Sequence, residues 1–499
     1  MPGSFVLALD LGTSGLRASL HPVERPWEAA AIARRVYRVH RPQGADALAG
    51  RFAEADLTER VYGVIAEALS QPGAQGVEVT AVGIAAQRGG TAFLDADGRA
   101  LYLAPNTDLR ALFEGAAIEE AHGARLYAAT GRAPAFLFAP AKLAWWRNHH
   151  PRISRRIARV TTLGGWAACL LTGEMGAGRA ELAEAGLLDV STGEVAVELL
   201  TDLGVDAALL PSVVEDGAPV GAVSAEAAAK TGLPRGAPVH LAGPDTGAAM
   251  LGMGAAQVND VGIAAGWSAP VRMITPAPVF DAERRTWTGP SLPPGRAYVE
   301  ASAGDTGGAL EMVRRLLGAR AGGGRLDRLV SQSRSGANMI AAFWGPHAIN
   351  LSNPGVTMGG LLAPAPITYN PVRAAYVARA TFENVAYAMR ECVELVQSVT
   401  GAEARSIALG GGMAASALFP QMLADTLNAP VRRHSALATA TGAAIAASRP
   451  ASEWASATRE IARRGEIAEP DVRGVLAYAE SFARWKRLRA RLEEMADEL

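Results

Sequence analysis

The apolar positions of this chain fall into short runs separated by small polar turns, and the first pair sets the pattern. Residues 5–9, FVLAL, form a continuous apolar run of buried-strand length. The run ends at Asp10, a turn follows at Gly12-Thr13-Ser14-Gly15, and residues 16–20 read as the return strand of a hairpin. Residues 77–85 and 91–94 read as further strands, and apolar spacing predicts helices over 57–69 and 141–148. This alternation predicts a mixed α/β architecture. Around residue 240 the pattern restarts. A strand at 238–242 runs into Gly243-Pro244-Asp245-Thr246-Gly247, and one at 261–265 runs into Gly266-Trp267-Ser268. Two such blocks, one per half, predict two similar lobes facing a cleft, over residues 1–254 and 255–499. Residues 279–296, rich in Pro, Gly and charge, read as a loop. Residues 375–399 form a long helical pattern with Ala380, Val385, Ala388 and Cys392 inward, and 454–464 and 477–499 read as amphipathic helices.

Length and composition narrow the class. With 499 residues, 49% hydrophobic and 19% charged, the chain can build two large cores. A formal net charge of −1 gives no reason to expect nucleic acid or an acidic membrane as partner. The two cysteines, Cys169 and Cys392, are far apart and suggest buried free thiols rather than a metal cluster or a disulfide framework. The N-terminus lacks a charged leader, and no apolar run approaches the roughly 20 residues of a membrane span. A cytoplasmic protein is expected.

Several polar positions suit phosphate and hydroxyl chemistry. The turn at 12–15 can offer backbone N–H groups and the Thr13 and Ser14 hydroxyls to an oxyanion, and Asp10 can face a magnesium ion held by the same phosphates. Asp245, after a strand and amid Gly243, Pro244 and Gly247, can take a proton from an alcohol; Asp before Thr-Gly is equally a helix N-cap. Gln87 and Arg88 can hydrogen-bond a polyol, as can Asn106, Asp108 and Arg110, the arginine holding the carboxylate in place. The run Gly410-Gly411-Gly412 between a strand at 406–409 and a predicted helix lets backbone pass close to a flat ring or ribose. The P-loop pattern and Gly-x-Ser-x-Gly are both absent, which excludes P-loop chemistry and argues against an α/β-hydrolase.

The pattern Asp10-x-Gly12-Thr13-Ser14 resembles the first phosphate motif of the actin and sugar kinase superfamily, and within it the chain resembles the FGGY family of carbohydrate kinases. The resemblance runs from about residue 4 to about residue 447. It also rests on Gly266 and Ser268 of a second phosphate motif, on the glycine patch 304–308, and on Gly410–Gly412 with Ser416, Leu418 and Asp425. Lys142-x-x-Trp145 and Glu383 carry the family signatures. It implies two actin-like, ribonuclease H-like lobes with a catalytic cleft between them. It also implies ATP-dependent phosphorylation of a hydroxyl on a small sugar or polyol. Asp245 would be the general base and Asp10 the Mg²⁺ ligand. Gln87, Arg88, Asn106, Asp108 and Arg110 would bind the sugar. Thr13, Ser14, Arg17, Gly266, Ser268, Gly307, Gly410, Gly411, Gly412, Met413 and Ser416 would hold ATP. Lys142 would be a structural ion-pair partner, and a homodimer is the family's common state.

The loops are nearest to autoinducer-2 kinase-like or xylulokinase-like members, which leaves the sugar open. The departures are Trp267, where threonine is common, Met312, where tryptophan is frequent, and the segment 179–186, which replaces a small polar turn and offers Glu181 and Glu184. They motivate a second reading, a catalytically impaired sugar- or nucleotide-binding regulator with a kinase fold. A third is an actin-like ATPase without a small substrate.

Overall fold

The computed structural model of the protein describes residues 3–41, 48–318, 324–351, 358–364 and 372–496. The chain divides into two compact units. The first comprises Met1–Ala256, Thr275–Tyr298 and Leu437–Ile461, and the second Gln257–Ile274, Val299–Ala436 and Ala462–Leu499. A single cut at 254/255 does not describe this division, because two later segments return to the first unit.

The first unit is built on β1 (Ser4–Gly12), β2 (Gly15–Pro22), β3 (Ala31–Val36), β4 (Glu78–Ala86), β5 (Pro219–Ala222) and β6 (Pro238–Pro244), ordered β5-β6-β4-β1-β2-β3. β1, β4 and β6 are mutually parallel, while β2, β3 and β5 run antiparallel to their neighbours. β1 shows why its apolar run is unbroken. Leu7, Leu9 and Leu11 enter one core with Leu57, Val61 and Val64 of helix Glu54–Leu69. Val6 and Ala8 enter another on the opposite face. A strand buried on both faces has no place for alternating polar residues. Asp10, the next residue in the Val6–Ala8 alternation, is the first polar group on its face.

That second face is covered by α1 (Asp245–Gly252) and α2 (Ala438–Ser448). Residues Ala440–Ala447 of α2 are all buried, so the helix is apolar all round and needs cover on every side. This is the physical reason the chain comes back to the first unit after residue 436. Only small residues let it in. A Cβ on Gly442 would lie 1.8 Å from the Ala248 carbonyl oxygen, one on Gly252 1.9 Å from that of Ala438, and one on Gly83 of β4 2.2 Å from that of Ala443. A further core joins Phe93, Tyr102, Trp145 and Trp146 over strands Thr91–Leu94 and Ala100–Ala104 and helix Ala139–His149.

The second unit carries β7 (Asp260–Ala264), β8 (Ser268–Thr275), β9 (Ala297–Asp305), β10 (Ser406–Gly410), β11 (Val431–Arg433) and β12 (Glu466–Ala468), ordered β9-β8-β7-β10-β11-β12. β7, β10 and β11 are parallel, and β7 pairs antiparallel with β8. The order repeats that of the first unit read from its β3 edge. The long helix is Ala374–Thr400, with Ala380, Val385, Ala388 and Cys392 buried as its spacing predicts. The C-terminal helices are Ala451–Ala462 and Val472–Ala496.

Three expectations change. Residues 279–296 are not all loop, since Trp287–Pro290 is a strand. The glycines at 410–412 do not lead straight into a helix. A short 3₁₀ turn, Gly412–Ala415, intervenes and the helix starts at Phe419. Cys169 is half-buried and Cys392 buried; both are free.

The close packing of α1 on α2 gives a signed prediction. In an open helix Gly→Ala stabilises by roughly 1 kcal/mol. At Gly442 the added Cβ meets a carbonyl oxygen, and the overpacking cost of about 1–3 kcal/mol or more dominates. Gly442→Ala should therefore lower the denaturation midpoint followed by circular dichroism; an unchanged or raised midpoint would contradict the contact.

Candidate active site

Three parallel strands of the first unit end in one row. Leu11 of β1 lies opposite Ala86 of β4, and Ala86 opposite Pro244 of β6. The residues that follow are therefore brought out together: the 12–15 turn, Gln87-Arg88, and Asp245. Ligands of open α/β sheets sit outside such carboxyl ends.

Asp10 lies opposite Arg17 in the hairpin register, and Arg17 opposite Arg34 on β3. Arg17 Nη1 donates to Asp10 Oδ2 at 3.2 Å. Asp10 is buried, and its Oδ1 accepts no hydrogen bond among the described residues. Burial raises its pKa, against the opposing pull of Arg17 and Arg34. A buried carboxylate oxygen left over can ligate a hard cation, against the repulsion of the two neighbouring guanidinium groups. Among the described residues no group of three or more His, Cys, Asp or Glu is arranged to hold a metal alone, so any ion here needs ligands from elsewhere.

Gln87 and Asn106 tie the turn to its surroundings. The Gln87 amide donates to Leu11 O at 2.8 Å, its Oε1 accepts from the Asn106 amide at 2.9 Å, and its Nε2 reaches Gly12 O at 3.4 Å. Asn106 Nδ2 donates to Thr13 Oγ1 at 3.1 Å, while its Oδ1 is buried and accepts nothing from the described residues. Beneath the same loop, buried Lys142 donates to Gly89 O at 3.0 Å and Thr91 Oγ1 at 3.2 Å. No ion pair to it is present among the described residues, so the expected salt bridge is replaced by bonds to a carbonyl and a hydroxyl. Burial brings its pKa down to about 8, with Asp108 acting against the shift.

Asp108 and Arg110 point elsewhere. Asp108 is buried; it accepts from the Gly50 amide at 2.7 Å, from Arg110 Nε at 2.7 Å, and from the Tyr102 hydroxyl. Arg110 also donates to Gly50 O at 3.2 Å, and its guanidinium lies over the rings of Tyr102 at 4.6 Å and Trp145 at 4.9 Å. In this structure the expected pair of sugar ligands forms an interior clamp inside an aromatic cage.

Asp245 opens α1. The register of β6 shifts between Leu241 and Pro244, and Gly243 sits at φ +79°, a left-handed conformation that favours glycine. The bulge aims Asp245 off the sheet edge. Asp245 Oδ1 accepts from the Thr246 amide at 2.8 Å. Its pKa is pushed up to about 6, by burial first; Arg88 opposes, and Asp10 and Glu184 add. The segment 179–186 proves to be a helix, Arg179–Glu184, with both glutamates buried. Burial, helped by Asp216, pushes Glu181 up to about 7. Glu184 accepts from the Tyr298 hydroxyl at 2.8 Å.

In the second unit, the β7–β8 turn and the glycine run are hydrogen-bonded together. The Ala265 amide donates to Gly410 O at 2.9 Å and the Met413 amide to Ala265 O at 3.1 Å. Gly411, at φ +87°, passes Ala265 so closely that a Cβ would lie 2.6 Å from its oxygen. The Gly307 amide donates to Trp267 O at 2.7 Å. Gly266, Ser268, Gly307, Gly410, Gly411, Gly412 and Met413 thus belong to one cluster. Trp267, 43% exposed, stands at the tip of the turn, and Met312 is 38% exposed. Ser416 is committed elsewhere: it donates to Asp327 Oδ1 at 2.7 Å and accepts from the Phe419 amide at 3.1 Å.

The N-terminal domain of the FGGY family of carbohydrate kinases matches residues 5–252, and its C-terminal domain matches residues 273–451. The chain belongs to the FGGY family of carbohydrate kinases. It is 26% identical to an autoinducer-2 kinase of Klebsiella pneumoniae, over 98% of this chain and 94% of that protein. It superposes on the structure of a xylulose kinase from Rhodospirillum rubrum with TM-score 0.81 and 24% identity, covering 99% of this chain and 100% of the other. A gluconate kinase from Lactobacillus acidophilus gives TM-score 0.83 at 15% identity, with 99% of each chain covered.

As an FGGY kinase the protein has the two-domain actin-like ATPase fold and transfers phosphate from ATP to an alcohol group of a carbohydrate. Among the described residues no helix is long and apolar enough to cross a membrane. Sequence reasoning missed Arg132 and Trp287 beside Glu184, and took Tyr298 only as the start of a family-like stretch, 298–307. The one signal for Trp287 was an aromatic residue in a segment otherwise read as loop.

The raised Asp245 pKa has a stability consequence. A carboxyl that titrates near 6 when folded and near 3.8 otherwise is destabilising when ionised. The folded state therefore keeps its advantage below about pH 4 and loses it as pH rises through about 6. Asp245→Asn should melt about 2–5 °C above the wild type at pH 8, with the gap closing towards pH 4; a lower melting temperature at pH 8 would contradict this reading of the site.

Proposed function

We propose that the first unit binds a small sugar or polyol, that the second binds ATP, and that Asp245 is the general base. The observation that carries this reading is Asp245 itself: a half-buried carboxyl delivered by a bulge at the end of β6, in line with the 12–15 turn and Gln87-Arg88. A base that titrates near 6 is ionised at neutral pH yet basic enough to accept a proton as the alcohol oxygen attacks the γ-phosphorus. The bond from that phosphorus to the bridging oxygen breaks as ADP leaves. Phosphoryl transfer asks for placement and charge stabilisation more than for strong base chemistry.

Arg88 and the open Oδ1 of Asn106 are the groups offered to acceptor hydroxyls. Gln87, Asp108, Arg110 and Lys142 act behind them as positioning residues. Thr13, Ser14 and Arg17 of the first unit, and Gly266, Ser268 and Gly307 of the second, are assigned to the phosphates of ATP. Gly410–Gly412 and Met413 are assigned to the adenosine; Ser416 shapes that loop by capping. Asp10 would hold Mg²⁺ through its unbonded oxygen, and the ion would neutralise charge on the phosphates of ATP. A cytoplasmic homodimer belongs to the same reading, supported by the habit of the family.

ADP release with Mg-ATP across neutral and acidic sugars and polyols tests this. One compound should stimulate turnover strongly, and Asp245→Asn should lose about 10²–10⁴-fold in kcat. The wild-type rate should fall as pH drops through about 6, because protonation removes the base. Chelation of divalent cations should abolish turnover and Mg²⁺ restore it. ATP binding without stimulation by any acceptor would overturn the proposal and favour the regulator.

A further inference from the structure

Helix Arg179–Glu184 places a buried carboxylate, Glu184, whose charge acts on Asp245. The helix is anchored against the strand end that delivers Asp245: a Cβ on Gly243 would lie 3.6 Å from that of Ala180. Four residues on, Glu184 enters a buried network. The Tyr298 hydroxyl donates to Glu184 Oε1 at 2.8 Å, and Arg132 Nη2 lies 3.6 Å from Oε2. Arg132 Nη2 also donates to the Tyr298 hydroxyl at 2.6 Å, and Nη1 donates to Thr288 O at 2.7 Å. Arg132, Glu184 and Tyr298 are each 5% exposed or less. The guanidinium of Arg132 lies 5.5 Å from the Trp287 ring centroid, and that of Arg88 lies 5.2 Å from the same ring. The chain of contacts therefore runs from Glu184 through Arg132 and Trp287 to Arg88, whose positive charge acts on Asp245.

This arrangement commits its cations. Arg132 balances Glu184, and Arg88 is the opposing charge for Asp245. An acceptor carrying its own carboxylate would add a third negative group to Asp245 and Glu184, whose charges Arg88 and Arg132 already offset. Burying such a charge without a partner is costly. Hydroxyl groups meet no such penalty, since they donate to carboxylates and to Asn106 Oδ1 and accept from Arg88.

We propose that Glu184, fixed by Tyr298 and Arg132, is a specificity-determining residue that restricts the acceptor to uncharged polyhydroxy compounds and excludes aldonic acids. The inference rests on the carbohydrate-kinase reading of Asp245 and adds to it the charge class of the substrate.

The test compares ADP release by the full-length protein with neutral acceptors (xylulose, ribulose, erythritol, glycerol) and with gluconate and xylonate. Wild type should favour the best neutral acceptor over either aldonate by about 100-fold or more in kcat/KM. Glu184→Gln should narrow that ratio by about tenfold or more, chiefly through a lower KM for the aldonate, because one negative charge has gone. Glu184→Asp, which keeps the charge, should preserve the discrimination. An aldonate as the preferred wild-type substrate would overturn the inference and leave the kinase reading standing. So would an unchanged ratio in folded Glu184→Gln. If Glu184→Gln does not fold, the wild-type preference alone decides. No stimulation by any acceptor of either class would defeat the kinase reading and take this inference with it.

Discussion

The closest approach in the first unit is between two helices that lie almost two hundred residues apart in sequence. α1 and α2 meet where Gly252 and Gly442 leave no room for a single methyl group. Much depends on that contact. α2 is apolar all round and supplies the cover for one face of β1, β4 and β6. The cover lets β1 be hydrophobic on both faces, and so makes Asp10 the first polar residue on its side. The same contact holds α1, whose first residue is Asp245. The two acids of the site are thus carried by a frame packed mainly from small and apolar residues.

Against this apolar frame the electrostatics run at a cost. Burial raises the pKa of Asp10, Asp245, Glu181 and lowers that of Lys142. Each direction marks a charged form that the fold disfavours. The arginines offset part of it: Arg17 beside Asp10, Arg132 beside Glu184, and Arg88 towards Asp245. Lys142 has no carboxylate bonded to it among the described residues; it holds the loop of Arg88 through Gly89 O and Thr91 Oγ1. Perturbed groups gathered at one end of a sheet point to a working site, although burial pushes two acids of the second unit, Glu383 and Glu391, up to about 7 as well.

How much of this was legible in the sequence depended on how local the cause was. β1, its turn and the helix start at Asp245 are local: an apolar run, small turn residues, Gly-Pro-Asp-Thr-Gly. All three were readable. The destinations of Asp108 and Arg110 were not, because they depend on Gly50, Tyr102 and Trp145, brought in from three other segments. Ser416 fits its motif, yet its hydroxyl is taken by Asp327, which is almost ninety residues earlier. The network of Arg132, Glu184 and Tyr298 spans 166 positions and has no periodic signal. A motif reports that a polar residue is present; packing between distant segments decides which way it faces.

The repeated sheet order explains why the readable residues were also the useful ones. In the first unit, parallel β1, β4 and β6 end at Asp10 and the 12–15 turn, at Gln87-Arg88, and at Asp245. In the second, parallel β7 and β10 end side by side, with Ala264 opposite Gly410, so the Gly266-Trp267-Ser268 turn and the glycine run emerge together. Each unit therefore presents small, backbone-rich turns at the carboxyl ends of its central strands, where ligands of open α/β sheets sit. The charged side chains proposed to select the acceptor are added from outside this frame: Arg88 by a loop held on Lys142, Glu184 by helix Arg179–Glu184. The frame is suited to phosphate, which every member must bind. The additions are where a particular acceptor can be chosen, because a substitution on helix Arg179–Glu184 alters the charge beside Asp245 without touching the strands that hold it.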